Sequence, residues 1–246
     1  MKIHALTLSL AGLLATAAQA AEIKVVSSVG VKTALEVLAP QFERASEHKI
    51  NLVFGTSVPL KRQVDAGESF DVVILTPAML EDLAKQGKVG TAANVAKVGI
   101  GVAIKAGAPK PDISSAEAVK RALLGAKAIA YSKEGQSGAM MAQIIERLGI
   151  ADQMTPKTVL ETRPGLSAAP VAERKADLAF TLISEILPVP GVELAGPLPA
   201  ELQRFVVFSA GIGNASKETQ AAKAFIDFLK APAAAPVLAK EGMEPG

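Results

Sequence analysis

The 246-residue sequence contains no cysteine and only two histidines. Without cysteine there is no disulfide, no thiolate nucleophile and no lipid on an N-terminal cysteine, so the fold must rest on an ordinary hydrophobic core. His4 falls in the leader described below, which leaves His48 alone. It sits in Glu47-His48-Lys49 between a predicted helix and strand, where a solvated turn residue is a better reading than a triad base. Zinc needs several nitrogen or sulfur ligands, and no acidic run has calcium-loop spacing, so no metal is expected. Gly211-Ile-Gly213-Asn-Ala-Ser216 ends on serine where a dinucleotide fingerprint needs its third glycine, and too little chain follows it, so no cofactor is expected. Aromatic residues make up 4% of the chain, too few for stacking platforms along single-stranded nucleic acid. Charge of either sign is also not in excess: 26 Lys+Arg stand against 24 Asp+Glu and are dispersed, which argues against nucleic-acid or membrane-surface partners.

Long hydrophobic runs are scarce too. Lys2 precedes an apolar run from about Ile3 to Ala17, and Ala18-Gln19-Ala20 has the small-x-small form of a cleavage site, so residues 1–20 read as a signal peptide. That run is shorter than the roughly 20 residues of a spanning helix. The Ala-rich tail is broken by Pro232 and Pro236. A periplasmic protein is expected, secreted by its leader, neither lipid-anchored nor membrane-embedded, and a monomer. The remaining chain of about 225 residues is long enough to bury some 70% of its unfolded surface.

The pattern after Ala21 alternates strand and helix. Glu22 to Ser27 is β-prone, and Leu35, Leu38, Phe42 and Ala45 then recur at helical spacing. Lys49 to Phe54 and Phe70 to Leu75 repeat the scheme, the latter into Thr76-Pro77, an N-cap with proline at the first helical position and a stop at Gly87. Val95 to Ile104 reads as a longer strand. Ser114 with Glu117 is a capping-box candidate. Further strands are expected at Lys127–Tyr131, Lys157–Leu160, Asp177–Leu182 and Arg204–Ser209. Further helices are expected at Gln136–Leu148, Ser167–Lys175 and Asn214–Leu229, with an irregular loop marked by Pro188, Pro190, Pro197 and Pro199. Such alternation predicts an α/β fold with a mostly parallel sheet in each of two lobes flanked by helices. The expected division is residues 21–103 with 207–246 in the first lobe and 104–206 in the second, joined by two hinge crossovers.

Ligands of such sheets bind beyond the carboxyl ends of the strands, where helices begin. Four helix starts there carry small polar residues: Ser27-Ser28-Val29-Gly30, Thr56-Ser57-Val58-Pro59, Glu134-Gly-Gln-Ser137-Gly138 and Arg163-Pro-Gly-Leu-Ser167. Pro59 disfavours helical geometry at Val58, so the second helix is expected to start at Pro59. Converging helix N-termini hold an anion with unpaired N–H groups and dipole charge, although each serine or threonine also serves plain capping.

Val25-Val-Ser-Ser-Val-Gly-Val-Lys-Thr-Ala-Leu35, Phe54-Gly-Thr-Ser-Val-Pro-Leu-Lys-Arg-Gln-Val64, Phe70-Asp-Val-Val-Ile-Leu75 and Tyr131-Ser-Lys-Glu-Gly-Gln-Ser-Gly138 resemble the periplasmic molybdate-binding protein family of ABC importers. The resemblance runs on through Val171-Ala-Glu-Arg-Lys-Ala-Asp-Leu-Ala179 and Ala224-Phe-Ile-Asp-Phe-Leu229. It implies a type II periplasmic-binding fold, hinge closure, and an oxyanion held by hydroxyl and backbone N–H groups. It puts Gly30 and Ser57 on ligand-binding serines, Ser137 and Leu166 on backbone donors, and Leu182 where the family can use a tyrosine hydroxyl. Two of three side-chain donors are thus missing, with Ser28 a substitute and Arg163 a candidate counter-charge. A buried oxyanion short of partners loses several kcal/mol, so a small organic carboxylate is as good a candidate as a molybdate-like anion. The expected function is a non-enzymatic solute-binding protein that delivers its ligand to an ABC transporter permease. A ligand-sensing module for a membrane receptor and an exported enzyme using the same cleft are the alternatives.

Overall fold

The computed structural model describes residues 20–246; apart from Ala20, the expected signal peptide lies outside them. Three strands, β1 (Glu22–Ser28), β2 (Lys49–Gly55) and β3 (Val72–Leu75), alternate with helices α1 (Lys32–Ser46), α2 (Ser57–Asp65) and α3 (Pro77–Lys85). β1 lies between β2 and β3 and is parallel to both, as strand–helix–strand units require. β4 (Val89–Lys105) follows, a single strand of 17 residues. The second half of the chain holds α4 (Ala116–Gly125), β5 (Ile129–Ser132), α5 (Gln136–Arg147), α6 (Ala151–Met154), β6 (Thr158–Glu161), α7 (Ala169–Ala172), β7 (Leu178–Leu182), α8 (Ile183–Ile186) and β8 (Val192–Pro197). The chain then returns through β9 (Phe205–Gly213), α9 (Thr219–Lys230), α10 (Ala235–Lys240) and β10 (Glu244–Pro245).

The strand order is β2-β1-β3-β9-β4-β7-β5-β6. The long strands β4 and β9 run antiparallel to their neighbours, while β5 is parallel to β6 and β7. β4 changes partners along its length: it pairs with β9 as far as Gly99 and with β7 and β8 from Ile100 and Gly101 onward. At this switch the Gln203 side chain grips Ile100 from the returning segment, accepting from its N–H at 2.9 Å and donating to its carbonyl at 3.0 Å.

Helices cover both faces. On one face of the first half, Phe42 of α1 meets Phe225 of α9 edge to face at 5.1 Å, in a core that includes Ile23, Val25 and Phe208. On the other, Leu60, Val64, Leu80 and Leu83 of α2 and α3 pack on Val26 and Val73. The second half has its own core around Ile100, Leu123, Met141 and Phe180.

Several local expectations need correction. α2 starts at Ser57, two residues before Pro59; proline is tolerated there because a first-turn N–H has no intrahelical partner to lose. α4 is capped by Ser115, whose Oγ accepts from the Ala118 N–H, while Ser114 is engaged by Asp112. α7 is far shorter than Ser167–Lys175, and Arg174, just beyond it, takes a left-handed φ of 59° that no helix continues. The proline-marked loop contains β8, an edge strand paired with β4 alone, where Pro197 removes no ladder bond that is needed. α9 begins at Thr219 rather than Asn214 because Asn214 and Ser216 are tied to the Gly87 carbonyl and to Asp71. His48 is not simply solvated: its Nδ1 accepts from the Ala21 N–H and its ring stacks on Phe42.

Candidate anion-binding site

β1 ends in the buried pair Ser27 and Ser28, and the chain turns through a short 3-10 segment, Val29–Val31. The Ser28 Oγ caps that turn, accepting from the Gly30 N–H at 3.4 Å, and also accepts from the Ser57 Oγ at 2.9 Å. With both lone pairs occupied, its own O–H is left to donate into the space ahead. Ser57 is the first residue of α2. From the second half, Ser137 is the second residue of α5, and Leu182 and Glu185 come from the β7–α8 junction. These residues, with Ser132 and Ser167, enclose a cavity of about 20 Å3 that no lysine or arginine lines. Two helices therefore begin at one buried chamber, supplying N–H groups and dipole charge where no cationic side chain does. The halves touch across it, with the Ser184 Oγ donating to the Gly30 carbonyl at 2.7 Å and Arg62 facing Glu134 at 3.5 Å.

Glu185 is the titratable residue of the cavity lining. Its Oε2 is in hydrogen-bond contact with Thr181 Oγ1, which lies 3.3 Å from Ser137 Oγ. Burial pushes its carboxyl above the ordinary glutamate range, opposed only by the Thr181 hydrogen bond. Neither Glu185 nor Thr181 was among the residues expected from sequence. The acidic residue inside the apolar run Leu178–Leu187 was the available signal, because a carboxyl in such a run is rarely buried without a role.

Of the expected residues, the structure gathers Ser28, Ser57, Ser137 and Leu182 around the cavity. Val58 follows Ser57 in the first turn of α2 and is half-buried. Gly30 is buried beside the cavity, and a Cβ there would stand 2.4 Å from Phe208 Cζ and 2.8 Å from Leu182 Cδ1. A phenyl edge and a leucine thus occupy the volume of a serine side chain at this position. Leu166 is exposed, lines the adjoining groove, and its N–H donates to the Arg163 carbonyl at 3.3 Å.

Arg163 does not line the cavity. Its guanidinium pairs with Glu161 at 2.5 Å and Glu173 at 2.8 Å. The Arg163 hydrogen bonds hold the Glu161 carboxyl down at about 2, against the cost of its burial. A carboxyl lowered in the folded state stabilises above its unfolded value of about 4.3 and loses that contribution as pH falls toward 2. Arg163→Ala is therefore expected to destabilise the fold modestly at pH 7, solvent screening weakening the effect because half of the arginine is exposed. The difference should shrink to nothing as pH falls from about 4.3 to about 2, as read by urea unfolding.

A family model described as bacterial extracellular solute-binding protein matches residues 23–244. The chain belongs to this family. A molybdate-binding protein ModA from Azotobacter vinelandii is 30% identical over 94% of this chain and 93% of its own. A Pseudomonas protein named aconitate isomerase is 28% identical over 90% of this chain and 87% of its own. The solved Azotobacter vinelandii periplasmic molybdate-binding protein superposes with a TM-score of 0.77 at 25% identity, covering 91% of this chain and 99% of that one. The sulfate-binding protein SubI of Mycobacterium tuberculosis H37Rv, at 19% identity and a TM-score of 0.73, shares the fold, covering 92% of this chain and 87% of its own. The architecture is thus the type II periplasmic-binding fold, within a family made mostly of non-enzymatic binding proteins. Among the described residues no helix is long and apolar enough to cross a membrane.

Proposed function

We propose that this solute-binding protein is an exported receptor that closes its two halves around one small anion and delivers it to an ABC permease. The observation that carries this reading is the buried, hydroxyl-lined chamber at the first turns of α2 and α5, with no cationic side chain in its wall; at about 20 Å3 it is water-sized, so the halves must part to admit an anion. In this reading the hinge lies where β4 changes partners at Gly99 and Ile100 and where Gln203 grips the returning chain. Closure is driven by what the ligand gains in the closed form.

With Gly30 and Leu182 offering no side-chain donor, a small organic carboxylate is favoured over a tetrahedral dianion. Titration calorimetry with molybdate, tungstate, sulfate and small carboxylates, cis- and trans-aconitate among them, tests both points. Tight molybdate binding would overturn the preference, and no binding across the panel at millimolar concentration would overturn the receptor. Ser57→Ala is expected to weaken the ligand found by about 1–3 kcal/mol; an unaltered affinity removes Ser57 from the site.

A second reading, an exported isomerase, is favoured by the buried carboxyl of Glu185 in the chamber together with the relative named aconitate isomerase. Incubation with cis-aconitate followed by proton NMR decides it: turnover to the trans isomer supports an enzyme, and none leaves the receptor.

A further inference from the structure

Three groups in the wall of the chamber form a line: Ser137 Oγ, Thr181 Oγ1 at 3.3 Å from it, and Glu185 Oε2 in contact with Thr181. Each hydroxyl has one proton to give, so an ionised last member sets the direction of both bonds, and a neutral one allows them to reverse. An ionised Glu185 can only accept. Thr181 then donates to it, Ser137 donates to Thr181, and Ser137 turns lone pairs toward the chamber. A neutral Glu185 can donate to Thr181 and Thr181 to Ser137, which leaves the Ser137 O–H free to point into the chamber. The first arrangement places a carboxylate and a lone pair beside a bound anion. The second presents a further donor and no added charge.

We propose that the anion enters this site together with one proton held on Glu185, relayed through Thr181 so that Ser137 becomes a donor to the ligand. The inference deepens the receptor reading and rests on it. Glu185 lines both the chamber and the groove next to it, so the proton is in reach of the ligand's field. It serves in place of a fixed cation, which this wall lacks.

The charged groups around it do not take over that role. α1 faces the groove with Lys32 and Glu36, which lie 3.6 Å apart. β8 carries Glu193, paired with Lys110 at 3.1 Å. β4 carries Lys97, paired with Glu244, and Lys105. β7 and the Val29–Val31 turn carry none. Burial, with no ionic partner, keeps the Glu185 proton in place at pH values where an exposed glutamate has lost it.

The test is calorimetry with molybdate and with trans-aconitate as probes, from pH 5.5 to 8.5, in two buffers of different ionisation heat. Wild type is expected to take up close to one proton per anion once pH exceeds the pKa of free Glu185, its affinity then falling about tenfold per pH unit. Glu185→Gln, whose amide can donate to Thr181 at every pH and carries no titrating proton, should bind without that uptake, lose the pH slope, and exceed wild type once pH passes the pKa of free Glu185. Thr181→Val should weaken binding at low pH, where the relay operates. A Glu185→Gln protein that keeps the wild-type pH slope overturns the proposal. Should neither probe bind, the receptor reading fails for those anions, while an infrared difference spectrum between ligand-free wild type and Glu185→Gln still decides the proton site. A neutral carboxyl band that persists above the pH at which an exposed glutamate ionises supports the proton site, and ionisation of Glu185 together with exposed glutamates overturns it.

Discussion

Gly138→Ala is expected to cost the fold about 3 kcal/mol or more and to abolish anion binding with it. The added Cβ would stand 1.8 Å from the carbonyl oxygen of Ser132 and 2.8 Å from its carbonyl carbon, where ordinary carbon–oxygen contacts begin near 3.3 Å. The obstacle is backbone, so no rotamer change relieves it. α5 would have to lift away from the end of β5, carrying Ser137 out of reach of Thr181. Gly135→Ala makes an instructive control, since its Cβ would meet side-chain rather than backbone atoms, the Ser132 Oγ at 2.6 Å and Cβ at 2.9 Å, at the cost of the hydrogen bond that Oγ accepts from the Gly135 N–H. Urea unfolding of both variants, with calorimetry on the same samples, should find a large loss in the first and a smaller one in the second. Equal losses would mean that the α5–β5 contact is not what holds the helix in place.

Gly30→Ser is expected to destabilise by about 1–3 kcal/mol and to bring no gain in molybdate affinity, even though it supplies the serine that the sequence resemblance implies at this position. Phe208 and Leu182 already fill the position, and both are buried in the first half's core. The serine would have to displace an aromatic ring before it could meet a ligand. Phe208→Ala alone leaves a void and costs about 3–5 kcal/mol. Gly30→Ser introduced on that background should cost less than on wild type, because touching residues couple. A strictly additive pair, measured by urea unfolding, would sink the steric account.

Much of the fold was legible in the sequence because its signals are local. Thr76-Pro77 marked the start of α3, and Leu35, Leu38 and Phe42 marked the buried face of α1. β8 was missed since prolines argue against strands, and only tertiary context reveals an edge position where they are harmless. The site divides in the same way. Ser28, Ser57 and Ser137 announce themselves as polar residues at helix starts. Glu185 does not, because its meaning lies in a contact with Thr181 and in the depth of its burial, and neither is a property of neighbours in sequence. Arg163 shows the complementary limit: a guanidinium near the cleft invites an anion in sequence, and only the fold reveals that Glu161 and Glu173 pair with it.

β4 belongs to both sheets without interruption, giving its first stretch to β9 and its last to β7 and β8. A chain divided into two lobes by flexible linkers could melt one lobe and keep the other. Here the same 17-residue strand is an interior member of both sheets, so fraying either one exposes ladder groups that belong to its neighbour. The strand that joins the halves thus also couples their unfolding, and partly molten forms with half a cleft are disfavoured in a protein that no disulfide protects.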